Sequence, residues 1–253
     1  EALENITEIM EVSDAIMVAR GDLGVELRPE EVPVAQSLLI HRARHRFKPV
    51  IVATQMLESM IENARPTRAE VTDISHAVTQ GTDAVMLSAE TAAGAHPVEA
   101  VKIMDRVIRQ TEAHLWQTGA YASSGLKSQK IPPVTIWDAL ANAVNDMTYE
   151  LSARAVLVLS NSGRSAATLV SARPGAPVVA ITNNINVYRR LALLWSVIPV
   201  LKNEAGKMNP NRLAKLVALD LGLAKKEQYV LLVRGFHSDP ELNTPTITAL
   251  AMM

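Results

Sequence analysis

Three apolar runs near the start of the chain each end in polar residues that could bind a metal or a substrate. The runs are Ala15–Ala19, Val50–Ala53 and Ala84–Leu87. The polar residues that follow them are Arg20-Gly21-Asp22, Thr54-Gln55 and Ser88-Ala89-Glu90-Thr91. Ligands of parallel α/β sheets bind at the carboxyl ends of the strands. If the three runs are parallel strands, the first candidates for one site are therefore Gly21 and Asp22, Thr54, and Ser88 with Glu90.

The side chains in this set suit the binding of an anion and a hard metal ion. Asp22 offers a carboxylate, which Mg²⁺ prefers together with substrate oxygens. Gly21 lets the backbone approach a ligand closely and leaves its N–H available to an anion. Thr54 and Ser88 offer hydroxyl groups that can bond a carboxylate or relay a proton. The residue types alone favour the ordinary alternative, in which Asp22 caps a helix and the hydroxyls belong to loops.

The elements that would position these residues repeat in the order strand, loop, helix. Helical patterns cover Glu30–Phe47, Thr67–Gln80 and Pro97–Leu115. The second begins with Thr67 and Glu70 at the capping-box spacing, and Gly81 supplies its stop. A repeat of roughly thirty residues predicts adjacent parallel strands joined by right-handed crossovers. Three such strands leave open sheet edges, so we expect further strands before Glu1. The start of the chain resembles the middle of a gene product.

A second α/β set follows a segment rich in Gly, Ser and Pro. Residues 117–133 have no periodic apolar pattern and are interpreted as a linker. Strands are then predicted at Ala155–Leu159, Pro177–Ile181, Val197–Leu201, Tyr229–Val233 and Thr246–Leu250. Helices are predicted at about Ile136–Leu151, after the Ser160–Ser165 turn through Ser171, at Val187–Leu194 and at Pro210–Leu221. The pattern predicts a doubly wound domain of about five strands, with the last strand at an edge.

A run of small and polar residues connects the first strand of this second set to the following helix. It contains Ser160, Asn161, Ser162, Gly163, Arg164 and Ser165. Hydroxyl groups, one arginine and the free N–H groups at a helix start can together bind a phosphate. The same residues also suit a turn with a serine cap, and the residue types do not decide between the two.

Composition limits the classes of protein to consider. The chain has 253 residues, a formal net charge of −1, 48% hydrophobic residues and no cysteine. The charge predicts neither a nucleic-acid nor an anionic-membrane partner. No apolar run reaches the ~18 residues that a membrane span needs. The absence of cysteine excludes disulfide and thiolate chemistry and fits a cytosolic protein.

Two of the histidines, His41 and His45, are four residues apart on a predicted helix. That spacing can bind a metal. The same helix carries Arg42, Arg44 and Arg46, so the sequence favours a solvated basic face instead.

Three segments resemble one known family, the pyruvate kinases. They are IMVARGDLGVE at Ile16–Glu26, PVIVATQMLESMIENARPTRAEVTD at Pro49–Asp73, and GTDAVMLSAETAAGAHPVEAV at Gly81–Val101. They occur in order and at matching spacing, and a looser resemblance continues through the second α/β set. The resemblance implies the last three βα units of a (β/α)8 TIM barrel at 1–116, a linker at 117–133, and a doubly wound α/β regulatory domain at 134–253.

The resemblance also implies a reaction, in which the phosphoryl group of phosphoenolpyruvate passes to ADP and gives pyruvate and ATP in glycolysis. Asp22 would ligate Mg²⁺, and the backbone of Gly21 and Asp22, with the Thr54 hydroxyl, would hold the phosphoenolpyruvate carboxylate. Ser88 would belong to the network that delivers a proton to the enolate. The family's catalytic Lys, its second metal-ligating Glu, its nucleotide-facing arginines and its K⁺ site would precede Glu1. A cytoplasmic homotetramer is also implied.

The Ser160–Ser165 run resembles the family's loop for the phosphate of a sugar-phosphate effector, and it also resembles the phosphate loop of sugar-isomerase domains. A second effector loop of the family is often Gly-Trp with basic and small residues. Here the corresponding segment is Arg234–Glu241, with the sequence RGFHSDPE. Asp239 and Glu241 would repel a second phosphate, so we expect an activator with a single phosphate.

Two other functions are compatible with the same residues. The chain could be a stand-alone phosphosugar-binding regulatory module, which the Ser160–Ser165 run would support. It could also be an Mg²⁺-dependent lyase or aldolase on a related barrel, because such an enzyme also uses a strand-end Asp to hold a pyruvate-like acid. The sequence that precedes Glu1 would discriminate between them.

Overall fold

The computed structural model describes residues 1–118, 133–235 and 244–252. The chain divides into two compact units, Glu1–Ala120 and Tyr121–Met253. The segment interpreted as a linker, 117–133, lies outside the described residues apart from 117, 118 and 133.

The first unit alternates strands and helices, as the sequence predicts. Its elements are α1 (Ile6–Val12), β1 (Ile16–Ala19), α2 (Arg20–Glu26), α3 (Val32–His45), β2 (Val50–Ala53), α4 (Arg68–Gln80), β3 (Ala84–Met86), α5 (Ala89–Ala92) and α6 (Pro97–Gln117). Short 3-10 helices lie at Pro29–Glu31 and Glu58–Ile61. The three strands form one parallel sheet in the order β1-β2-β3. Their carboxyl ends therefore meet at one edge of the sheet.

One face of this sheet is packed against helices, and the opposite face is partly exposed. Ile16, Val18, Val50 and Val52 belong to the covered face and are at most 8% exposed. They pack with residues of α3, α4 and α6, among them Leu39, Ile40, Ile74, Ala77 and Met104. On the other face Met17 is 52% exposed and Met86 is 37% exposed. Alternate strand residues face the interior of a closed barrel, so this exposed face corresponds to a barrel interior.

The start and end of α4 are confirmed as predicted. The Thr67 hydroxyl accepts a hydrogen bond from the Glu70 N–H, and the Glu70 carboxylate accepts one from the Thr67 N–H. Gly81 ends the helix with a φ of +88°. This positive φ favours glycine, because a residue with a side chain would adopt it only with strain.

The helix α2 was not predicted from the sequence. Gly21 and Gly24 both disfavour a helix, each by about 1 kcal/mol relative to Ala. Leu23 nevertheless packs against the core of the unit, and Arg20 is buried at the start of the helix. These tertiary contacts override the weak local propensity. As a result, Gly21 and Asp22 lie in the first turn of a helix instead of in an open loop.

The second unit contains a five-stranded sheet. Its elements are α7 (Ile136–Glu150), β4 (Val156–Leu159), α8 (Arg164–Ser171), β5 (Val178–Thr182), α9 (Ile185–Leu191), β6 (Val197–Leu201), α10 (Pro210–Asp220), β7 (Tyr229–Arg234) and β8 (Thr246–Ala251). The strand order is β6-β5-β4-β7-β8. The first four strands are parallel, and β8 pairs with β7 in the antiparallel direction at the edge.

Helices cover both faces of this second sheet, which is the doubly wound arrangement. On one face α8 packs with β4 through Ala166, Leu169 and Val158. On the other face α10 packs with β7 through Leu213, Val217 and Leu232. The connection that leaves β4 and the connection that enters β7 therefore lie on opposite faces, although the two strands are neighbours. Open α/β sheets bind ligands at such a topological switch point.

Among residues 1–118, 133–235 and 244–252, no helix combines the length and apolar character needed to cross a membrane.

Candidate functional site

The ends of β1 and β2 are joined by a hydrogen bond between two of the predicted site residues. The Gly21 N–H donates to Thr54 Oγ1 at 2.8 Å, and the Thr54 hydroxyl donates to the Ala53 carbonyl at 2.6 Å. The Gly21 N–H, which the sequence suggested as a donor to an anion, donates to the Thr54 oxygen in this structure. The hydroxyl that accepts this bond is polarised and becomes a better donor.

The backbone of Thr54 is held in a conformation that L-residues rarely adopt. Thr54 has a φ of +69° and Gln55 a φ of +54°. Two consecutive left-handed residues that are not glycine cost roughly 1–2 kcal/mol each. The loop after β2 therefore needs contacts from elsewhere in the fold to hold it.

Arg20 provides those contacts. Its Nε donates to the Thr54 carbonyl at 3.2 Å, and its Nη2 donates to the Gln55 carbonyl at 3.1 Å. Its Nη1 pairs with the Asp73 carboxylate of α4, and the arginine is only 9% exposed. Sequence reasoning gave Arg20 no role. The signal that would have found it is a charged residue placed directly after a buried strand, where an unpaired charge would be costly.

Glu90 connects the loop after β2 to the loop after β3. This carboxylate is 3% exposed. It accepts one hydrogen bond from the Leu57 N–H at 3.1 Å and another from the Ser88 N–H at 2.7 Å. Sequence reasoning placed Glu90 at a strand end but missed this role. The hydrogen bond from the Ser88 N–H fixes the position of Ser88 at the start of α5. Ser88 is the residue predicted to belong to the proton-delivery network.

The metal candidate Asp22 is exposed and follows Gly21 in the first turn of α2. Within the described residues there is no group of three or more His, Cys, Asp or Glu side chains that could hold a metal ion. A single exposed carboxylate fits Mg²⁺, which is often bound through one or two carboxylates together with substrate oxygens. Asp22 therefore fits as part of a magnesium site, and it needs additional ligands.

The Ser160–Ser165 loop lies at the carboxyl end of β4 and separates into buried and exposed members. Ser160 and Ser165 are buried, and the Ser165 hydroxyl donates to Ser160 Oγ at 2.8 Å. Asn161, Ser162 and Arg164 are exposed. The two buried hydroxyls thus shape the turn from inside, while the exposed residues are accessible to a ligand.

The peptide between Ser162 and Gly163 is held from both sides. The Gly163 N–H points inward and donates to Ser160 Oγ at 3.1 Å. The Ser162 carbonyl points outward and accepts a hydrogen bond from Arg190 Nη2 of α9 at 2.9 Å. Gly163 has a φ of +87°, which a residue with a side chain would adopt only with strain. Arg190 is a second basic residue at this loop, and sequence reasoning did not find it.

The first turn of α8 has donors that suit an anion. No side-chain hydrogen bond from the N-cap residue Gly163 caps this helix. The Arg164 N–H donates to Ser162 Oγ at 3.4 Å. The following N–H groups of the first turn and the exposed Arg164 side chain face the same region as Ser162. The loop lies beside the end of β7, where Arg234 is exposed. The acidic residues Asp239 and Glu241 fall outside the described residues.

Two family models match the chain. One is described as "Pyruvate kinase, barrel domain" and matches residues 1–101, and the other is described as "Pyruvate kinase, alpha/beta domain" and matches residues 138–248. The chain belongs to the pyruvate kinase family. The partial barrel and the doubly wound second unit are therefore the barrel and C-terminal folds of that family.

Individual pyruvate kinases agree with this assignment. The pyruvate kinase of Agrobacterium vitis is 43% identical over 237 residues, which are 93% of this chain and 49% of that protein. The pyruvate kinase of Geobacillus stearothermophilus is 44% identical over 239 residues, which are 93% of this chain and 40% of that protein. A crystal structure of a pyruvate kinase from Cryptosporidium parvum matches with a TM-score of 0.84 and 34% identity, covering 98% of this chain and 49% of that one.

This chain spans less than half the length of the curated pyruvate kinases that it matches. The matches give no support to the two other functions compatible with the residues, a stand-alone phosphosugar-binding module and an Mg²⁺-dependent lyase or aldolase.

Proposed function

We propose that this chain is the part of a pyruvate kinase that supplies one side of the active site and the regulatory domain. The reaction is phosphoryl transfer from phosphoenolpyruvate to ADP, which gives pyruvate and ATP in glycolysis. The observation that carries this proposal is the Gly21–Thr54 hydrogen bond, because it brings together two predicted substrate-binding residues beside Asp22. Family membership supports the choice of reaction.

In this proposal each residue at the strand ends has one task. Asp22 contributes a carboxylate to Mg²⁺, which neutralises charge on the transferred phosphoryl group when it is bound. The backbone of Gly21 and Asp22 lies against the substrate carboxylate. The Thr54 hydroxyl turns from the Ala53 carbonyl to donate to that carboxylate. Ser88 contributes a hydroxyl to the network that protonates the enolate.

The wider context is proposed from the family. We infer that K⁺, the nucleotide and the remaining metal ligand are bound by segments that precede this chain in its relatives. The domain division that we propose is 1–116 for the barrel part, 117–133 for the linker and 134–253 for the regulatory domain. A cytoplasmic homotetramer is the proposed state of the whole enzyme.

Because this chain is proposed to hold only one side of the active site, the purified 253-residue chain should not convert phosphoenolpyruvate and ADP. A lactate dehydrogenase-coupled assay measures this directly. Turnover in the ordinary range of about 1–10³ per second would contradict the division of the site.

The assignment of Asp22 is tested in the full-length enzyme, meaning this chain joined to the barrel segments that precede it in its relatives. Asp22→Asn should abolish most activity and weaken the dependence on Mg²⁺. Asp105→Asn, which changes an exposed carboxylate on α6, is the matched control and should leave both unchanged. Unaltered activity and Mg²⁺ dependence in Asp22→Asn would refute the proposal.

We also propose that the Ser160–Ser165 loop binds the phosphate of an activator that carries one phosphate group. Its position at the switch point of the sheet and the outward-facing Arg164 support this. Arg164→Ala should weaken binding of a sugar monophosphate about tenfold to a hundredfold, which is the loss expected for a charge-assisted contact. Calorimetric titration of the chain with a sugar monophosphate, a sugar bisphosphate and AMP tests it, with Arg212→Ala as the control. Equal affinity in Arg164→Ala and the unaltered chain would reduce the loop to a capped turn.

A further inference from the structure

One peptide of the Ser160–Ser165 loop is held on both of its sides, and one of the two hydrogen bonds comes from the neighbouring helix α9. The Gly163 N–H donates to Ser160 Oγ at 3.1 Å, and the Ser162 carbonyl accepts from Arg190 Nη2 at 2.9 Å. The N–H and the carbonyl belong to the same planar unit, because the peptide bond between them does not rotate. A rotation of this unit therefore breaks both hydrogen bonds at once.

The local backbone does not select this orientation by itself. A rotation of the peptide unit changes mainly ψ of Ser162 and φ of Gly163. Gly163 has a φ of +87°, and glycine adopts positive and negative φ about equally readily. Because the backbone offers little resistance to a rotated peptide, the hydrogen bonds at its two ends determine the orientation.

The hydrogen bond from Arg190 is charge-assisted, whereas the one on the inner side of the peptide is neutral. The inner acceptor, Ser160 Oγ, also accepts a hydrogen bond from the Ser165 hydroxyl at 2.8 Å. A guanidinium remains charged in proteins, and charge-assisted hydrogen bonds are roughly twice as strong as neutral ones. Loss of the Arg190 guanidinium would therefore leave the orientation to the weaker, neutral bond.

The helix α9 holds Arg190 at a fixed place beside the turn. Asn184 caps the start of this helix and accepts hydrogen bonds from two N–H groups of its first turn. Val187 and Leu191 are buried, and a Cβ built on Gly163 would lie 3.8 Å and 3.5 Å from their side chains. The face of α9 next to Arg190 therefore lies directly against the turn that Arg190 contacts.

The orientation of this peptide sets the geometry that a ligand of the loop would meet. Ser162 and Arg164 lie on either side of Gly163, and both are exposed. The Arg164 N–H donates to Ser162 Oγ, which joins the serine hydroxyl to the first turn of α8. A rotated peptide changes ψ of Ser162 and moves its side chain relative to that turn. A site that is already ordered binds more tightly than one that must be ordered on binding.

We propose that Arg190 is a positioning residue of the phosphate site, because it holds the Ser162–Gly163 peptide in the orientation that the phosphate meets. This inference rests on the proposed function of the Ser160–Ser165 loop and adds to it a residue from another helix. Arg164 contacts the ligand in that proposal, whereas Arg190 acts through the backbone. Without Arg190 the loop binds the same phosphate more weakly, because binding must then also order the peptide.

Amide hydrogen exchange of the ligand-free chain tests the positioning role directly. Arg190→Gln should speed exchange of the Gly163 amide, because the peptide then opens more often. Arg189→Gln is the matched control, since it changes an exposed arginine one position earlier on α9, and it should leave the exchange rate unchanged. Arg164→Ala should also leave this rate unchanged, because it keeps both hydrogen bonds of the peptide.

Calorimetric titration with a sugar monophosphate tests the consequence for binding. Arg190→Gln should weaken binding about tenfold, which is the effect of one charge-assisted hydrogen bond. Arg190→Lys keeps a charged donor and should recover most of this loss, whereas Arg189→Gln should bind like the unaltered chain. Circular dichroism of each variant establishes that its fold is retained.

An exchange rate at Gly163 that is equal in Arg190→Gln and the unaltered chain would overturn the proposal. So would faster exchange without a loss of affinity, because the peptide would then not matter to the ligand. An equal loss of affinity in Arg189→Gln would overturn it too, since the effect would then come from positive charge alone. Absence of sugar monophosphate binding by the unaltered chain would refute the phosphate site, and the Gly163 exchange rates would then decide separately whether Arg190 holds the peptide.

Discussion

The two candidate sites are held together in different ways. At the ends of β1, β2 and β3, the stabilising contacts join residues far apart in the chain. Arg20 and Asp73 are 53 positions apart, and Leu57 and Glu90 are 33 positions apart. In the Ser160–Ser165 loop, two shaping contacts join residues three and five positions apart, and one joins Arg190 to Ser162 across 28 positions. The first site is thus a product of tertiary packing, whereas the second is mostly a local turn.

This difference has a physical consequence. A site built from buried, long-range charged contacts forms only when the surrounding unit folds, and the removal of one partner leaves a charge or an N–H group unsatisfied. A site built from local hydroxyl bonds loses only one modest hydrogen bond at a time. Substitutions should therefore be more destabilising at the strand ends than in the loop after β4.

Arg20→Met should produce the largest effect. It removes the ion pair with Asp73 and leaves the carbonyls of Thr54 and Gln55 without their main donor. We expect a loss of about 3 kcal/mol in the free energy of unfolding of the first unit. Urea denaturation of the chain measures it, and Arg164→Met at the exposed loop position is the control. An equal urea midpoint for Arg20→Met and Arg164→Met would show that the two sites do not differ in their sensitivity to substitution.

Glu90→Gln should have the next largest effect. The amide keeps one acceptor but presents an NH₂ group to the second backbone N–H, so one buried donor loses its partner. We expect a loss of about 2 kcal/mol, together with faster hydrogen exchange at the Ser88 and Leu57 amides. Glu62→Gln, at an exposed position, should change neither. Unchanged exchange at both amides would show that Glu90 does not tie the two loops together.

Gly163→Ala isolates the backbone cost in the local site. An added Cβ would lie 3.5 Å from Leu191, an ordinary contact, so the expected loss of about 1 kcal/mol comes from the positive φ alone. Gly206 has a φ of +82° and open space around it, so Gly206→Ala should lower the free energy of unfolding by the same amount. Only Gly163→Ala should also change binding of the sugar monophosphate. Equal binding of the sugar monophosphate by the two variants would show that the geometry of the turn does not determine ligand binding.

The smallest effect is a pH dependence at the α4 cap. Burial raises the pKa of Glu70, but hydrogen bonds from Ser59 and Thr67 outweigh it and hold the pKa below its ordinary value of 4.5. A pKa that is lowered in the folded state stabilises the fold at pH values above the ordinary pKa. This stabilisation is lost as the pH falls through the lowered pKa. The stability difference between the unaltered chain and Glu70→Gln should therefore be constant near neutrality and shrink below pH 4.5. A stability difference that grows in acid would contradict the lowered pKa of Glu70.

Much of the architecture could be predicted from the sequence, because it depends on local patterns. The apolar run Val50–Ala53 coincides residue for residue with β2, and Thr67, Glu70 and Gly81 mark the limits of α4. Parallel strands also placed Gly21 and Thr54 at one edge. These predictions needed only apolar runs, capping residues and the rule that ligands bind at strand ends.

The connecting residues could not be predicted in the same way. Arg20, Glu90 and Arg190 each act through a partner that lies 28 to 53 positions away, and no local pattern identifies such a partner. The helix α2 was missed because its two glycines argue against it and only tertiary contacts, the packing of Leu23 and the burial of Arg20, support it. For the same reason the occupied N–H of Gly21 was unexpected.

The left-handed backbone at Thr54 and Gln55 bears on engineering as well as on mechanism. Glycine adopts positive φ without steric cost, so a stability-driven design would place glycine at both positions. At Thr54 that change would remove the hydroxyl proposed to meet the substrate and the acceptor of the Gly21 N–H. At Gln55 it would remove only an exposed side chain. This turn therefore sets stability against activity at one position and leaves its neighbour available for thermostabilisation.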